Sequence, residues 1–180
     1  MKSRNTVIRS MHDVGLAAWF GGSLMGAVGL NGGANSVDDA TQRPVVASAG
    51  WARWAPVNAA AIGIHAIGGV GLILANKGRI AEQKGAGSNT AVKAALTGVA
   101  LAATAWSGLQ GAKVGKAGAF PTEGSVVPSA ATPADVASAQ KQLRIAQWVI
   151  PAATGVLIVL GAQQGEQQKP AQLLAGLLKG

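Results

Sequence analysis

Between Asp13 and Asp38 the chain reads VGLAAWFGGSLMGAVGLNGGANSV, 24 residues without a formal charge. A helix needs about 20 mostly apolar residues to cross the hydrocarbon core of a bilayer. Three further charge-free windows follow: 23 residues between Arg53 and Lys77, 19 between Lys93 and Lys113, and 21 between Arg144 and Glu166. The hydrocarbon offers no water to backbone groups, so such segments must close their own hydrogen bonds as helices. None alternates apolar and polar residues at period two, which removes a strand reading. The pattern predicts an all-α fold, a four-helix transmembrane bundle in one integral membrane domain spanning residues 1–180. The spans fall at about 12–31, 55–76, 93–112 and 145–163.

Composition agrees. Charged residues make up 12% of the 180 residues, about half of a typical globular share of ~25%. Hydrophobic residues make up 49%, which excludes disorder, and the absence of cysteine excludes a disulfide scaffold.

Orientation is read from Lys and Arg. Four spans put both termini on one side, with Lys2, Arg4, Arg9, Lys77, Arg79, Lys84, Lys93, Lys169 and Lys179. Arg43, Arg53, Lys113, Lys116, Lys141 and Arg144 lie on the other. Counting the acids, the sides carry +6 and +2 of the total +8, so both termini are expected in the cytoplasm and the protein in a plasma (inner) membrane. The bases flank apolar windows and do not cluster on one face, so anionic lipid headgroups, not nucleic acid, are the expected partners. A cleaved signal peptide fits poorly, because the first apolar run is long, holds Trp19 and Phe20, and lacks a convincing small-residue cleavage site.

Helix ends have local signals. Asn5 can cap the first helix, and Asn31-Gly32-Gly33 is a stop signal. Residues 35–53 read as a loop ending in Trp51, Arg53 and Trp54, an interfacial anchor at the entrance of the second helix. Pro56 then falls in a first turn, where a missing N–H is harmless. Residues 112–131, rich in Gly, Ala, Ser, Thr and Pro, read as a long outer loop without a core of its own. Thr132-Pro133-Ala134-Asp135 starts a fourth helix that begins near residue 133, projects from the membrane and carries Pro151 in its interior, where a kink is expected. Residues 164–180 form a cytoplasmic tail whose Ala171–Lys179 stretch could lie as an amphipathic helix in the interface, dock on a partner or remain disordered.

Membrane helices associate by close packing, which small residues allow. Gly22 and Gly26, Gly29 and Gly33, and Gly68 and Gly69 are the candidate packing glycines, suited to a tight antiparallel pair of helices one and two. Polar groups within spans are functional candidates. His65 and Asn58, seven residues apart and therefore on one helical face, form the candidate intramembrane polar site. His65 is expected to be a neutral imidazole bonded across the bundle to Asn58 or to a hydroxyl of helix three. Thr97, Thr104, Ser107, Gln110, Gln147 and Thr154 are the other polar groups within the spans. His12, beside Asp13, is a further candidate ligand.

Two histidines and many glycines are the ingredients of a haem b site. The window centres, however, put His12 about ten residues from the depth of His65, roughly 15 Å at 1.5 Å per residue, which argues against one shared iron. Copper would draw on Met11, His12 and Met25, but Met25 lies too far along the helix to share a metal with His12. The expectation is no cofactor and no metal. No nucleophile, histidine and acid gather at one depth, so no catalytic set emerges.

The stretch His12-Asp-Val-Gly-Leu-Ala-Ala-Trp19-Phe20-Gly21-Gly22 resembles the opening helix of CopD-like copper-resistance membrane proteins of bacteria. The resemblance implies a helical bundle in the plasma membrane with His12 as a metal ligand. It covers one helix of four, and CopD-like domains have more spans and more Met and His. The function expected is therefore a non-catalytic accessory or scaffold subunit of a larger plasma-membrane complex, bound to a membrane-protein partner or to copies of itself. The alternatives are a small oligomeric carrier or channel for a proton or small solute, and a haem- or copper-handling redox protein.

Overall fold

The structure, a computed structural model, describes residues 5–77 and 86–167. Within them the chain is all-helical apart from one small hairpin, and four helices are long and apolar enough to cross a membrane. It is a multi-pass helical membrane protein. The predicted tail at 164–180 lies largely outside the described residues.

Each helix outruns its predicted span. Helix α1 covers Thr6–Asn35, α2 Arg43–Ala75, α3 Ala86–Ala117 and α4 Ala134–Gln167. Strands β1 (Thr122–Gly124) and β2 (Val127–Pro128) pair antiparallel between α3 and α4. Several end signals act differently from expectation. The Asn5 side chain makes no capping bond; its backbone carbonyl accepts from Arg9 N–H instead. Gly32 and Gly33 do not stop α1, which runs on to Asn35. Its last carbonyls are closed by the N–H groups of Ser36 and Val37.

The loop expected over 35–53 is short. Pro44 occupies the first turn of α2, where it needs no N–H, and the Ala-rich stretch behind it continues as helix. Trp51, Arg53 and Trp54 therefore sit two to three turns inside α2 and not at its entrance, and Pro56 lies in the helix interior. Pro151 likewise sits inside α4, where Thr154 Oγ1 donates back to the Ile150 carbonyl at 2.8 Å.

The helices alternate up and down, and α1 packs chiefly on α2, α3 on α4, and α1 also on α4. Contacts between α2 and α3 are sparse, so that seam is the open side of the bundle. One core lies within the membrane-spanning part, where Leu16, Trp19, Ala100, Ile150, Ala153 and Leu157 pack together. A second core lies at the hairpin end, where Val114, Phe120, Val136, Ala139 and Leu143 meet, with Val126 against them.

That second core corrects the reading of 112–131 as a coreless loop. α3 continues to Ala117, and Gly118 turns the chain at φ +69°, a conformation glycine adopts without steric cost. The β-hairpin then folds back over the bundle. Gln140, fully buried on α4, donates through Nε2 to Thr122 Oγ1, the Gly124 carbonyl and the Ser125 carbonyl. Asn35 Oδ1 accepts from Ser125 N–H at 2.7 Å, and an Arg43 guanidinium N–H reaches the Glu123 carbonyl at 2.7 Å. The Thr132 hydroxyl serves this loop, donating to the Pro121 carbonyl and accepting from Ser129 N–H.

Candidate functional site

Side-chain contacts fix the register of α1 on α2. Gly22 lies under the Trp54 ring and Gly26 under the Trp51 ring, while Gly68 meets the His12 backbone. A Cβ on Gly15 would fall 2.5 Å from the Ala61 carbonyl oxygen and 2.6 Å from His65 N. The predicted packing glycines thus divide. Gly22, Gly26 and Gly68 face the partner helix, the first two accepting indoles and not backbone. Gly29 faces Met25 of its own helix, Gly33 has nothing within 4 Å, and Gly69 makes an ordinary contact with the His12 ring.

This register overturns the depth separation of the two histidines. His12 and His65 lie side by side, ring centroids 4.3 Å apart and tilted 40°. His65 Nδ1 donates to the His12 carbonyl at 3.0 Å, and Trp19 lies 6.1 Å from the His65 ring. His12 Nδ1 bonds the Asp13 carboxylate at 2.9 Å. Aligning the centres of the charge-free windows misplaces the pair, because α2 begins eleven residues before its window and a short turn sets the pairing. The rings touch, so a macrocycle has no gap between them in this arrangement. His65 bonds neither Asn58 nor a hydroxyl of α3. Among the described residues no group of three or more His, Cys, Asp or Glu side chains could hold a metal ion.

Asn58 belongs elsewhere. A cavity of about 660 Å³ lies along the open α2–α3 seam, from Ile62, Asn58 and Thr104 up to Ser125 and Val126 of the hairpin, which roofs it. Its size falls within the ~300–1,000 Å³ usual for small-molecule sites. Most of the wall is Ala, Gly, Ile, Val, Leu and indole, and none of the lining residues carries a formal charge.

The back wall is a satisfied polar network. Asn31 Nδ2 donates to Gln147 Oε1 at 2.8 Å, and Trp51 Nε1 donates to Asn31 Oδ1 at 3.0 Å. Asn31 follows a five-residue π-helical stretch, Gly26–Leu30. Such stretches shift the helical phase and recur at functional sites. Deeper in, Trp19 Nε1 donates to Thr104 Oγ1, whose hydroxyl donates on to the Ala100 carbonyl.

Four other lining residues carry a side-chain atom that is closed off from the cavity and has no hydrogen-bond partner among the described residues: Trp54 Nε1, Asn58 Oδ1, Ser107 Oγ and Ser125 Oγ. Ser125 is 2% exposed. Buried polar groups are normally bonded, and each one left bare costs about 1–3 kcal/mol. Pro56 and Pro151 have no N–H to give the carbonyls of Ala52 and Gln147, two residues that line the cavity.

Sequence reasoning names Asn58, Ser107 and Gln147 as intramembrane polar groups but misses that they converge. It reads Asn31 as a helix stop and Trp51 and Trp54 as anchors. One usable signal is the shared spacing, since Trp51 and Trp54 stand three apart and Gly22 and Gly26 four apart, matching faces of an antiparallel pair. Ser125 sits in a loop and leaves no signal. Comparison of the chain with known protein families, curated proteins and solved structures gave no match.

Proposed function

We propose that this chain is a non-catalytic membrane component whose work is binding, and that the α2–α3 cavity is its binding site. The observation that carries the reading is an uncharged, mostly apolar cavity of about 660 Å³, open along the α2–α3 seam and backed by the bonded Asn31, Gln147 and Trp51 side chains. An apolar pocket with a few convergent polar groups is the usual form of a small-molecule site. In this reading the protein serves as an accessory or scaffold subunit of a larger assembly in a bacterial plasma membrane, with both termini in the cytoplasm. The long apolar faces of α2 and α3, including Ile67, Val70 and Leu74, and Leu101, Trp106 and Leu109, are free to meet lipid or a partner helix.

A test is purification from native membranes in mild detergent, with proteins and small molecules both identified by mass spectrometry. The expected result is a stoichiometric small molecule together with a protein partner. A chain that comes through bare and solitary would contradict the proposal.

A second reading has its own observation. The ring contact of His12 and His65 places two imidazoles together near one end of the spans, and the resemblance of His12–Gly22 to CopD-like proteins points to metal handling. A Soret band or bound copper that disappears in His65→Leu would favour it.

A further inference from the structure

We propose that the α2–α3 cavity holds a single acyl chain of a membrane phospholipid, extended along the bundle axis with its headgroup outside. This rests on the reading of the cavity as a binding site and gives the chemistry of its occupant.

The wall calls for hydrocarbon. Trp54 Nε1, Asn58 Oδ1, Ser107 Oγ and Ser125 Oγ are closed off from the cavity, so they offer an occupant no hydrogen bond. Asn31 is bonded to Gln147 and Trp51, and Thr104 Oγ1 to Trp19 and the Ala100 carbonyl. The remaining wall is mostly apolar, with Ala47, Ala55, Ala59, Ile62, Leu143 and Ile150 among its residues. Apolar cavities hold water poorly, and one left unfilled forfeits van der Waals contact along its lining.

Shape narrows the choice. The lining runs from Ala47 to Ile62 on α2 and from Thr104 to Gly115 on α3. At about 1.5 Å per residue that is a slot roughly 17–22 Å long, against about 15 Å for the hydrocarbon of one leaflet. A volume of about 660 Å³ over such a length leaves a mean section of roughly 30–40 Å², room for one alkyl chain and not for both chains of a lipid.

Access is from the bilayer. The hairpin roofs the cavity and is held down by Gln140 and Arg43, whereas the α2–α3 contact is sparse, so a chain enters sideways from the lipid. No lining residue carries a formal charge, and the phosphate therefore stays outside. Phospholipid is also the most abundant molecule at that opening, and occupancy follows concentration.

The test uses the full chain in bilayers of phosphatidylcholine brominated midway along its chains, read by quenching of tryptophan fluorescence. Trp51 and Trp54 line the cavity and report contact, while Trp19 is fully buried. Trp106 and Trp148 are 47% and 53% exposed and would be quenched by any surrounding lipid, so both are replaced by Phe throughout. Gly108 and Gly111 line the cavity, and a Cβ added at either meets nothing within 4 Å, so Gly108→Leu and Gly111→Leu take the place of the chain without disturbing the helix contacts. Gly98 of α3 is equally open and does not line the cavity, so Gly98→Leu is the control.

Strong quenching is expected in the parent and in Gly98→Leu, falling by about half or more in Gly108→Leu and Gly111→Leu as the added side chain excludes the lipid. Gly111→Ala, which takes less of the slot, should fall between. Equal quenching in parent and filling variants, or none in the parent, overturns the proposal. If quenching is equal while a different small molecule co-purifies with the wild type and is lost from the filling variants, the occupant is wrong and the binding site stands. If nothing bound responds to the filling variants, both fall.

Discussion

The side-chain amide of Asn31 donates to Gln147 Oε1 at 2.8 Å, joining α1 to α4 across 116 residues of sequence. The same Asn31 accepts the Trp51 indole N–H, so one residue ties three helices together at the back of the cavity. Asn31→Leu is expected to leave Trp51 Nε1 and Gln147 Oε1 without partners, at a cost of about 1–3 kcal/mol. Resistance to denaturant in micelles would measure this. A double-mutant cycle with Gln147→Leu should return positive coupling, because the second substitution removes one of the stranded groups. Additive losses would mean that the bond contributes little.

Gly15 and Gly33 should separate cleanly. An added Cβ at Gly15 meets the backbone of Ala61 and His65, which cannot swing aside, whereas at Gly33 it meets nothing within 4 Å. Gly15→Ala is expected to push α1 from α2 and to destabilise by about 1–3 kcal/mol, the usual cost of overpacking. Gly33→Ala should be neutral or slightly stabilising, since it only improves helix propensity. Thermal unfolding of the two variants in one detergent decides the point, and equal effects would refute this register of α1 on α2.

Gln140 fastens the roof. Its Nε2 reaches three acceptors in the β-hairpin, and the residue has no exposed surface. Gln140→Leu is expected to loosen residues 122–128 while leaving the four helices in place. Amide hydrogen exchange would show faster exchange at Ser125 and Val127 with little change in the membrane-spanning segments. Unaltered exchange at the hairpin would show that Asn35 and Arg43 hold the roof without it.

The turn between α1 and α2 carries a pH dependence. The Thr41 hydroxyl donates to Asp39 Oδ1 at 2.7 Å, and Thr41 N–H donates to the same oxygen at 2.9 Å. The hydroxyl bond first, then the backbone bond, hold the Asp39 carboxyl below its usual range, with Arg43 adding a weaker pull. A lowered folded-state value means the turn's contribution is complete above the ordinary carboxylate range and fades as pH falls through the lowered value. Carbon-detected NMR titration of Asp39 should show a midpoint that rises toward the usual range in Thr41→Val. A midpoint indifferent to that substitution would contradict the assignment.

The existence and number of the helices were legible because charge is expensive in hydrocarbon, so Arg53, Lys77, Lys93, Lys113 and Arg144 mark the windows plainly. Their ends were less so. A window of missing charge marks where lipid lies, not where a helix begins, and α2 and α4 each run about ten residues past their windows at the hairpin end. Pro44 and Gly50 looked like loop residues, yet one sits in a first turn and the other receives the Leu30 side chain. The register of α1 on α2 was not legible. It is set by the turn at 36–42 and by Gly15 and Gly68, and two helices of small residues offer many pairings of similar quality. Asn58 could be named from its type and position. That it lines one cavity with Trp54, Ser107 and Ser125 depends on three elements packing at once, which no local pattern encodes.

Whether the cavity binds a ligand is tested most directly by the intact mass of the complex. Wild type and Gly111→Leu would be released side by side from nanodiscs formed with native membrane lipid and weighed by native mass spectrometry. The expected result is a wild-type chain carrying one small hydrophobic molecule at one-to-one stoichiometry and a Gly111→Leu chain that is bare. The same mass increment in both, or in neither, would contradict it.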